Sequence, residues 1–225
     1  MADVSTIRAA LARHGQEHLL AFYEELATPQ REELLGQLEG IDFDAMASFL
    51  FGELLPGESA SLEYSAERSS FMRFNNAKVR QTGTVEEAVA SVKLYRGAKT
   101  LSFQATLQGE LRVDEERLAE ALGQARASLP LLPDDAYQAI PTAKAASDTR
   151  YAGKLLPEGD IPAKVLGPAA GLDFTGLFSQ GPMCRGAANS AGARHWFQTE
   201  TFLLDYSAWL PNGRAVKSSY AGREW

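Results

Sequence analysis

Residues 181–225 decide the fold of this chain: GPMCRGAANSAGARHWFQTETFLLDYSAWLPNGRAVKSSYAGREW. Runs of aromatic, aliphatic and Thr residues are separated here by Gly, Asn and Pro, a pattern typical of strands joined by turns. The tetrapeptide Pro211-Asn212-Gly213-Arg214 carries the Asn-Gly signature of a tight hairpin turn. The pattern predicts strands at 174–178, 183–188, 195–210 and 215–220.

The predicted strand at 195–210 has apolar side chains on both of its faces. Because successive side chains of a strand point to opposite sides, residues of even and odd number form two separate sets. These are Phe202, Leu204, Tyr206 and Leu210 on one face, and Phe197, Leu203 and Trp209 on the other. Both faces should be at least partly covered, one of them by something outside this chain. We therefore expect self-association, or contact with a partner subunit, through residues 181–225.

The chain before this region also alternates with a period of two, from residue 59 onward. Leu62, Tyr64 and Ala66 share one side of a predicted strand. Asn75-Asn76 predicts a hairpin turn, because Asn tolerates the positive φ of tight turns, and a second hairpin turns at Arg96-Gly97-Ala98-Lys99. The inward residues of this second hairpin are Ala88, Ala90, Val92 and Leu94, then Leu101, Phe103, Ala105 and Leu107.

A helix is predicted after these strands, with Asp114 as its N-cap. Its inward residues follow helical spacing, so that the helix can cover one face of the sheet. They are Leu118, Leu122, Ala125 and Leu129. Residues 129–168 are rich in Pro, Ala, Asp and Gly and are predicted to form a connector, with a short helix at 163–170.

The amino-terminal residues differ from the rest in charge and in period. Residues 1–60 hold eleven acidic and three basic side chains, although the whole chain has a net charge of only -7. Apolar residues recur at helical spacing, and Asp42 is a predicted N-cap of a third helix. The charge step, together with Leu55-Pro56-Gly57, predicts a domain boundary between an acidic helical module at 1–55 and a domain at 58–225. The predicted class is α+β, a small helical module followed by a mostly antiparallel sheet with packed helices.

Composition bounds the kind of protein. With 225 residues, 45% of them hydrophobic, the chain can bury a sizeable core. A pI near 5.1 argues against nucleic-acid binding, which requires a basic surface. The sequence contains no run of 18 apolar residues, and the amino terminus lacks the features of a signal peptide, so we expect no membrane segment and a cytoplasmic location. The single cysteine, Cys184, is expected to act as a small buried hydrophobe, because only His195 is a candidate base beside it.

One short motif in the amino-terminal module has two interpretations. His14, Glu17 and His18 match the H-x-x-E-H pattern, in which two His side chains one helical turn apart hold zinc. The same residues belong to LARHGQEHLLAFYEELATPQREELLGQLEGIDFDAM, and residues 1–50 resemble the amino-terminal helical segment of UDP-sugar pyrophosphorylases. That resemblance implies an accessory protein related to nucleotidyltransferases. However, the Gly-rich nucleotide loop of that family has no counterpart downstream.

A second resemblance covers residues 58–225. The stretches SSFMRFNNAKVRQTG, VKLYRGAKTLSFQATL and DEERLAEALGQARASLPLLPDDAY, followed by residues 181–225, are similar in order and spacing to the amino-terminal domain of the TldD/PmbA family. The resemblance implies a relation to zinc metallopeptidases, whose HExxxH pair and later Cys follow this domain. Because the sequence ends at Trp225 without these ligands, we expect no zinc site and no proteolysis by this chain alone. The chain would then be either a truncated metallopeptidase relative or a non-catalytic subunit that interacts with a TldD-like protein.

Four polar residues lie around one predicted turn and form the candidate site. Arg185, Asn189, Arg194 and His195 could bind a carboxylate or carbonyl of a peptide, because cationic groups recognise carboxylates. The alternative is that Asn189 shapes the turn, while Arg194 and His195 lie at its rim. The residues alone leave both interpretations open.

Overall fold

A computed structural model describes residues 42–225, which form a seven-stranded sheet and three α-helices. The strand order is β3-β2-β1-β5-β6, and β4 and β7 both pair with the far edge of β6. Every pairing is antiparallel except that of β4 with β6. The predicted α+β class with a mostly antiparallel sheet is therefore confirmed for this part of the chain. The elements are α1 (Phe43–Gly52), β1 (Glu58–Asn75), β2 (Lys78–Arg96), β3 (Lys99–Thr106), α2 (Leu111–Ser128), β4 (Ala146–Tyr151), α3 (Ile161–Leu166), β5 (Asp173–Asn189), β6 (Arg194–Trp209) and β7 (Ala215–Gly222).

The predicted hairpins are present. In the turn between β1 and β2, Asn76 and Ala77 have φ of 50° and 52°. This is the pair of positive φ values that a type I′ turn requires, one residue later than the Asn75-Asn76 pair suggested. Gly97 provides a φ of 59° between β2 and β3, and Gly213 one of 80° between β6 and β7. In each case the residues of the turn determine where the chain reverses.

Two helices cover one half of the sheet, on the face formed by residues of even number in β1, β2, β5 and β6 and by Leu101, Phe103 and Ala105 of β3. The predicted cap of α1 is confirmed, because the Asp42 carboxylate accepts a hydrogen bond from the Ala45 amide at 2.9 Å. Helix α1 packs beside α2 over Leu62, Val92 and Leu94 of the sheet. The buried side chains that the helices contribute are Phe43, Met46, Ala47, Leu50, Leu118, Leu122 and Ala125.

The other half of the same face carries a second core. Helix α3 buries Ile161 and Val165 against the sheet. Its partners are aromatic or long apolar side chains of β1, β5 and β6: Met72, Phe74, Phe174, Phe178 and Phe202. Residues 129–168 are thus more than a connector, and the predicted short helix is present at Ile161–Leu166, slightly earlier than expected.

Three details of the prediction were wrong. Asp114 is not the N-cap of α2, which begins at Leu111 with Glu110 at the cap position. Instead the buried Asp114 carboxylate reaches back and accepts hydrogen bonds from the amides of Gln108 and Gly109, at 2.8 and 2.9 Å. The predicted strands at 174–178 and 183–188 are one strand, β5, and β4 was not predicted at all.

One edge of β6 is shared by two strands that run in opposite directions. Strand β4 pairs with residues 194–199 in parallel, and β7 pairs with residues 202–209 in antiparallel. The chain after β4 is anchored, because Glu200 accepts a hydrogen bond from the Gly153 amide at 2.8 Å and the Gln180 side chain bonds both backbone groups of Leu156. The two strands together therefore leave little of this edge unpaired.

The amino-terminal module is described only in part. Helix α1, which the sequence places in the module at 1–55, contributes to the core of the sheet domain. Residues 1–41 lie outside the described part, so the H-x-x-E-H motif of His14, Glu17 and His18 and the boundary near Leu55-Pro56-Gly57 stay predictions. Among the described helices, none is long and apolar enough to cross a membrane.

Candidate functional site

The candidate site is a trough on the open face of the sheet, the face opposite the helices. It is formed by residues of odd number, and within 42–225 no helix packs on it. A cavity of about 530 Å³ lies over five neighbouring strands. It lies between β2 at one side and β4 at the other.

The strand register arranges the trough as two rows of side chains. Glu63 on β1, Ala187 on β5 and His195 on β6 are direct neighbours in the first row. Ser91 on β2 and Ser147 on β4 form the two ends of this row. In the second row, one step along the strands, the neighbours are Ser65, Arg185, Phe197 and Thr149. Cross-strand neighbours have Cβ atoms about 5 Å apart, so a small ligand can contact both rows.

Two charged side chains of the trough have no protein partner within residues 42–225. Arg185 is exposed and makes no hydrogen bond or ion pair there, and the same is true of Glu63. They are diagonal neighbours, about 7–8 Å apart for such positions in a sheet, and they form no ion pair with each other. His195 is held in place, since its Nδ1 lies 2.8 Å from the Ser147 hydroxyl. The trough thus offers one cation, one anion and several hydroxyl groups.

The structure separates the four predicted site residues into two pairs. Arg185 and His195 lie together in the trough. Asn189 is buried at the end of β5, where its side chain accepts a hydrogen bond from the Ala193 amide at 2.9 Å and donates one to the Ala143 carbonyl at 3.0 Å. Arg194 donates to the carbonyls of Asn189 and Ala193 and lies 4.9 Å from the centre of the Phe51 ring. Asn189 and Arg194 therefore shape the turn and the helical face.

Sequence reasoning missed Glu63 and Ser147 as members of the site. Glu63 alternates with Leu62 and Tyr64 in a half-buried strand, a position that by itself does not indicate a site, and Ser147 lies on β4, whose pairing was not predicted. The signal that joins them to Arg185 is the register between distant strands, which one sequence does not display.

Cys184 lies on the other side of the sheet from the trough. Successive residues of β5 point to opposite faces, so Cys184 packs beside the helical core although Arg185 next to it faces solvent. Burial raises the pKa of its thiol, and the hydrogen bond with Tyr64 only partly opposes this effect. The expectation of a small buried hydrophobe agrees with this position, and a thiolate made reactive by Arg185 does not.

An aromatic cluster supports the trough from below. Tyr64 and Trp196 stack at 5.8 Å on either side of Gly186, and the Phe43 ring of α1 lies 6.0 and 5.7 Å from them. Gly186 has no side chain, so the Phe43 ring fills the space above it. The strands that carry Arg185 and His195 are thereby fixed by packing on the opposite face.

The described residues do not provide a zinc site. Between positions 42 and 225, no three His, Cys, Asp or Glu side chains lie close enough together to hold a metal ion. A zinc site in proteins needs three or four such ligands.

No protein-family model matches the chain, and no curated protein matches it significantly. Solved structures do. TldE from Thermococcus kodakarensis superimposes with a TM-score of 0.53 at 12% identity, over 80% of this chain and 43% of that one. This chain shares the fold of TldE. Two proposed modulators of DNA gyrase, from Thermotoga maritima and Bacteroides thetaiotaomicron, have TM-scores of 0.54 and 0.52 at 15% and 13% identity.

The fold expected from the TldD/PmbA resemblance is thus confirmed at the level of its architecture. The Thermotoga protein is matched over 81% of this chain and 44% of its own length, and the Bacteroides protein over 88% and 46%. The chain therefore spans less than half the length of these TldE-like structures. None of the comparisons supports a relation to UDP-sugar pyrophosphorylases.

Proposed function

We propose that this chain is a TldD/PmbA-like, metallopeptidase-related protein that binds peptides on its open sheet face and does not hydrolyse them by itself. The observation that carries the proposal is the trough, whose Arg185 has no partner within residues 42–225, on a sheet that shares the fold of TldE. An exposed guanidinium among hydroxyl groups is suited to peptide carboxylates and carbonyls, because it offers several donors in a fixed plane.

In this proposal, hydrolysis depends on residues that this sequence does not contain. Its three histidines are His14, His18 and His195, and no HExxxH motif occurs. The purified chain should therefore not cleave peptides in the presence of zinc. Stoichiometric zinc that is lost on His14→Ala or His18→Ala would contradict this part of the proposal and favour the H-x-x-E-H interpretation.

The binding itself can be tested by filling the trough. Ala187 lies at its centre with an exposed side chain, so Ala187→Trp should occupy the space without disturbing the core. We expect the fluorescence anisotropy of a labelled, unstructured peptide to rise with wild-type protein and to stay low with this variant. Ala127→Trp, on an exposed position of α2, is the matched control and should bind as the wild type does. Equal binding by both variants would show that the trough is not the site.

A second function rests on a different part of the open face. Leu203 and Trp209 of β6 are both exposed there, beyond the trough. They lie six positions apart, with Asp205 and Ser207 between them on the same face, so a partner would contact them at two separate points. We propose that this surface joins a TldD-like subunit or a second copy of the chain, in which case the peptide bound in the trough would be presented to that partner.

A further inference from the structure

The two charged side chains of the trough that have no partner within the described residues have opposite signs, and this restricts the ligand. A purely anionic ligand at Arg185 would lie close to the Glu63 carboxylate, which repels it. A purely cationic ligand at Glu63 would meet the Arg185 guanidinium in the same way. A ligand with both charges places an opposite charge beside each of these groups.

From this arrangement we propose that the trough binds short peptides through both of their free termini, with the carboxylate at Arg185 and the ammonium group at Glu63. The inference rests on the proposed peptide binding and specifies its substrate class as zwitterionic peptides of two or three residues. Internal segments of longer chains lack the charged groups for which the two side chains are placed.

The spacing of the two charged residues favours a length of two or three residues. Glu63 and Arg185 are diagonal neighbours across β1 and β5, which places the two residues about 7–8 Å apart and their Cβ atoms somewhat closer. Side chains of strands stand roughly perpendicular to the sheet, so the charged groups keep a separation of this order. The termini of an extended dipeptide are about 6–7 Å apart, whereas those of a single amino acid are much closer.

The surroundings of Arg185 add a preference for the last residue of the peptide. Phe197 is the direct neighbour of Arg185 on β6, and 40% of its surface is exposed. Its ring lies beside Tyr151, at 6.0 Å between centres. A carboxylate bound to Arg185 places the adjoining side chain next to this pair, so an apolar or aromatic C-terminal residue gains contact area.

The peptide group between the termini also finds partners. Ala187 lies between Glu63 and His195 in the first row and leaves space above the sheet. Ser65 and Thr149 provide hydroxyl groups that can donate or accept hydrogen bonds. The trough therefore matches a small peptide in charge, length and hydrogen bonding.

Calorimetric titration of the full chain with alanyl-phenylalanine tests the inference. We expect N-acetylation or C-amidation of this dipeptide to weaken binding at least tenfold. Glu63→Gln should weaken binding of the free dipeptide to the same degree, and it should have no effect on the acetylated form. Arg185→Gln should likewise weaken binding of the free dipeptide, and it should have no effect on the amidated form. Glu87→Gln and Arg73→Gln, which change charges on the open face outside the trough, are the matched controls and should bind as the wild type does.

The outcomes separate this inference from the proposed function. If the doubly blocked dipeptide binds as tightly as the free one and Ala187→Trp abolishes both, the trough binds peptides but not through their termini, and the inference is wrong. If the free dipeptide binds and the crossed pattern of losses is absent, the inference also fails. If no peptide of either kind binds, both proposals fall. Arg185 and Glu63 are exposed, so their variants should keep the wild-type melting temperature.

Discussion

The packing of Phe43 on Gly186 allows a sharp test of how α1 is fixed to the sheet. A Cβ atom added at Gly186 would lie 2.6 Å from Cε2 and 2.7 Å from Cζ of the Phe43 ring. Favourable contacts between carbon atoms lie at about 3.5–4.0 Å, so the ring must move by about 1 Å. Phe43 is buried between Tyr64 and Trp196 and has little room to move.

The expected loss of stability follows from two opposing effects. Overpacking a well-packed core costs about 1–3 kcal/mol. Replacing Gly by Ala in an ordinary strand conformation stabilises by about 0.4–1 kcal/mol, through the unfolded chain. We therefore expect Gly186→Ala to lower the free energy of unfolding by about 1–2 kcal/mol. Phe43→Ala alone should lower it by about 3 kcal/mol, because a buried aromatic side chain is removed.

The two substitutions should be coupled. Without the Phe43 ring the new methyl group meets no obstacle, so Gly186→Ala should be neutral or stabilising in the Phe43→Ala background. Urea unfolding of the four proteins, followed by tryptophan fluorescence, measures the coupling. Gly176→Ala is the control, since its Cβ would lie 2.1 Å from the backbone oxygen of Asp205, which no side-chain truncation relieves. An equal cost of Gly186→Ala in both backgrounds would refute the reasoning.

Three further predictions concern buried charges and exposed apolar residues. Glu58 is buried, which raises its pKa, but hydrogen bonds from Arg126 and from the Leu55 amide outweigh this and lower the pKa overall. Its contribution to stability is therefore present at neutral pH and is lost as the pH falls below about 4.5 through the lowered pKa. Glu58→Gln should cost about 1.5–3 kcal/mol at pH 7 and flatten the acid limb of the unfolding curve, and an unchanged limb would contradict this. Asp114→Ala should lower the free energy of unfolding in urea by about 2–3 kcal/mol, because it leaves the amides of Gln108 and Gly109 unpaired. A loss near zero would show that water replaces the carboxylate. Trp209→Ser should weaken self-association in sedimentation experiments without changing stability. Phe202→Ser should mainly unfold the protein, because Phe202 is only 2% exposed. A monodisperse wild-type monomer at high concentration would exclude the association.

The sequence allowed the strands and their turns to be predicted where local chemistry determines them. Alternation along Leu62, Tyr64 and Ala66 and the turn residues around Asn76 and Gly213 are local signals, and the structure agrees with them. Strand β4 has the sequence ASDTRY, which is polar and barely alternates. Only its pairing with β6 makes it a strand, and that pairing joins residues that are 48 positions apart.

The candidate site was predictable to the same limited degree. Arg185 and His195 were found because they lie near one turn in the sequence. Asn189 and Arg194 share that proximity but point towards the turn itself, because the alternation of a strand and the needs of the turn separate neighbours. Glu63 joins the site from β1, through a register that depends on tertiary structure.

The shared edge of β6 has a consequence for motion in solution. Strand β4 is polar and largely exposed, it is paired in parallel, and the chain behind it is anchored at Gly153 and Leu156. The chain before it is held too, since the Asn189 side chain donates to the Ala143 carbonyl and the Arg194 amide donates to the Ala145 carbonyl. We expect β4 to separate from β6 locally between these anchors while β7 remains in place, because opening one short strand needs less free energy than global unfolding. Ser147 and Thr149 would move with β4. One side of the trough would therefore open and close faster than its remaining strands, and peptides could enter from that side.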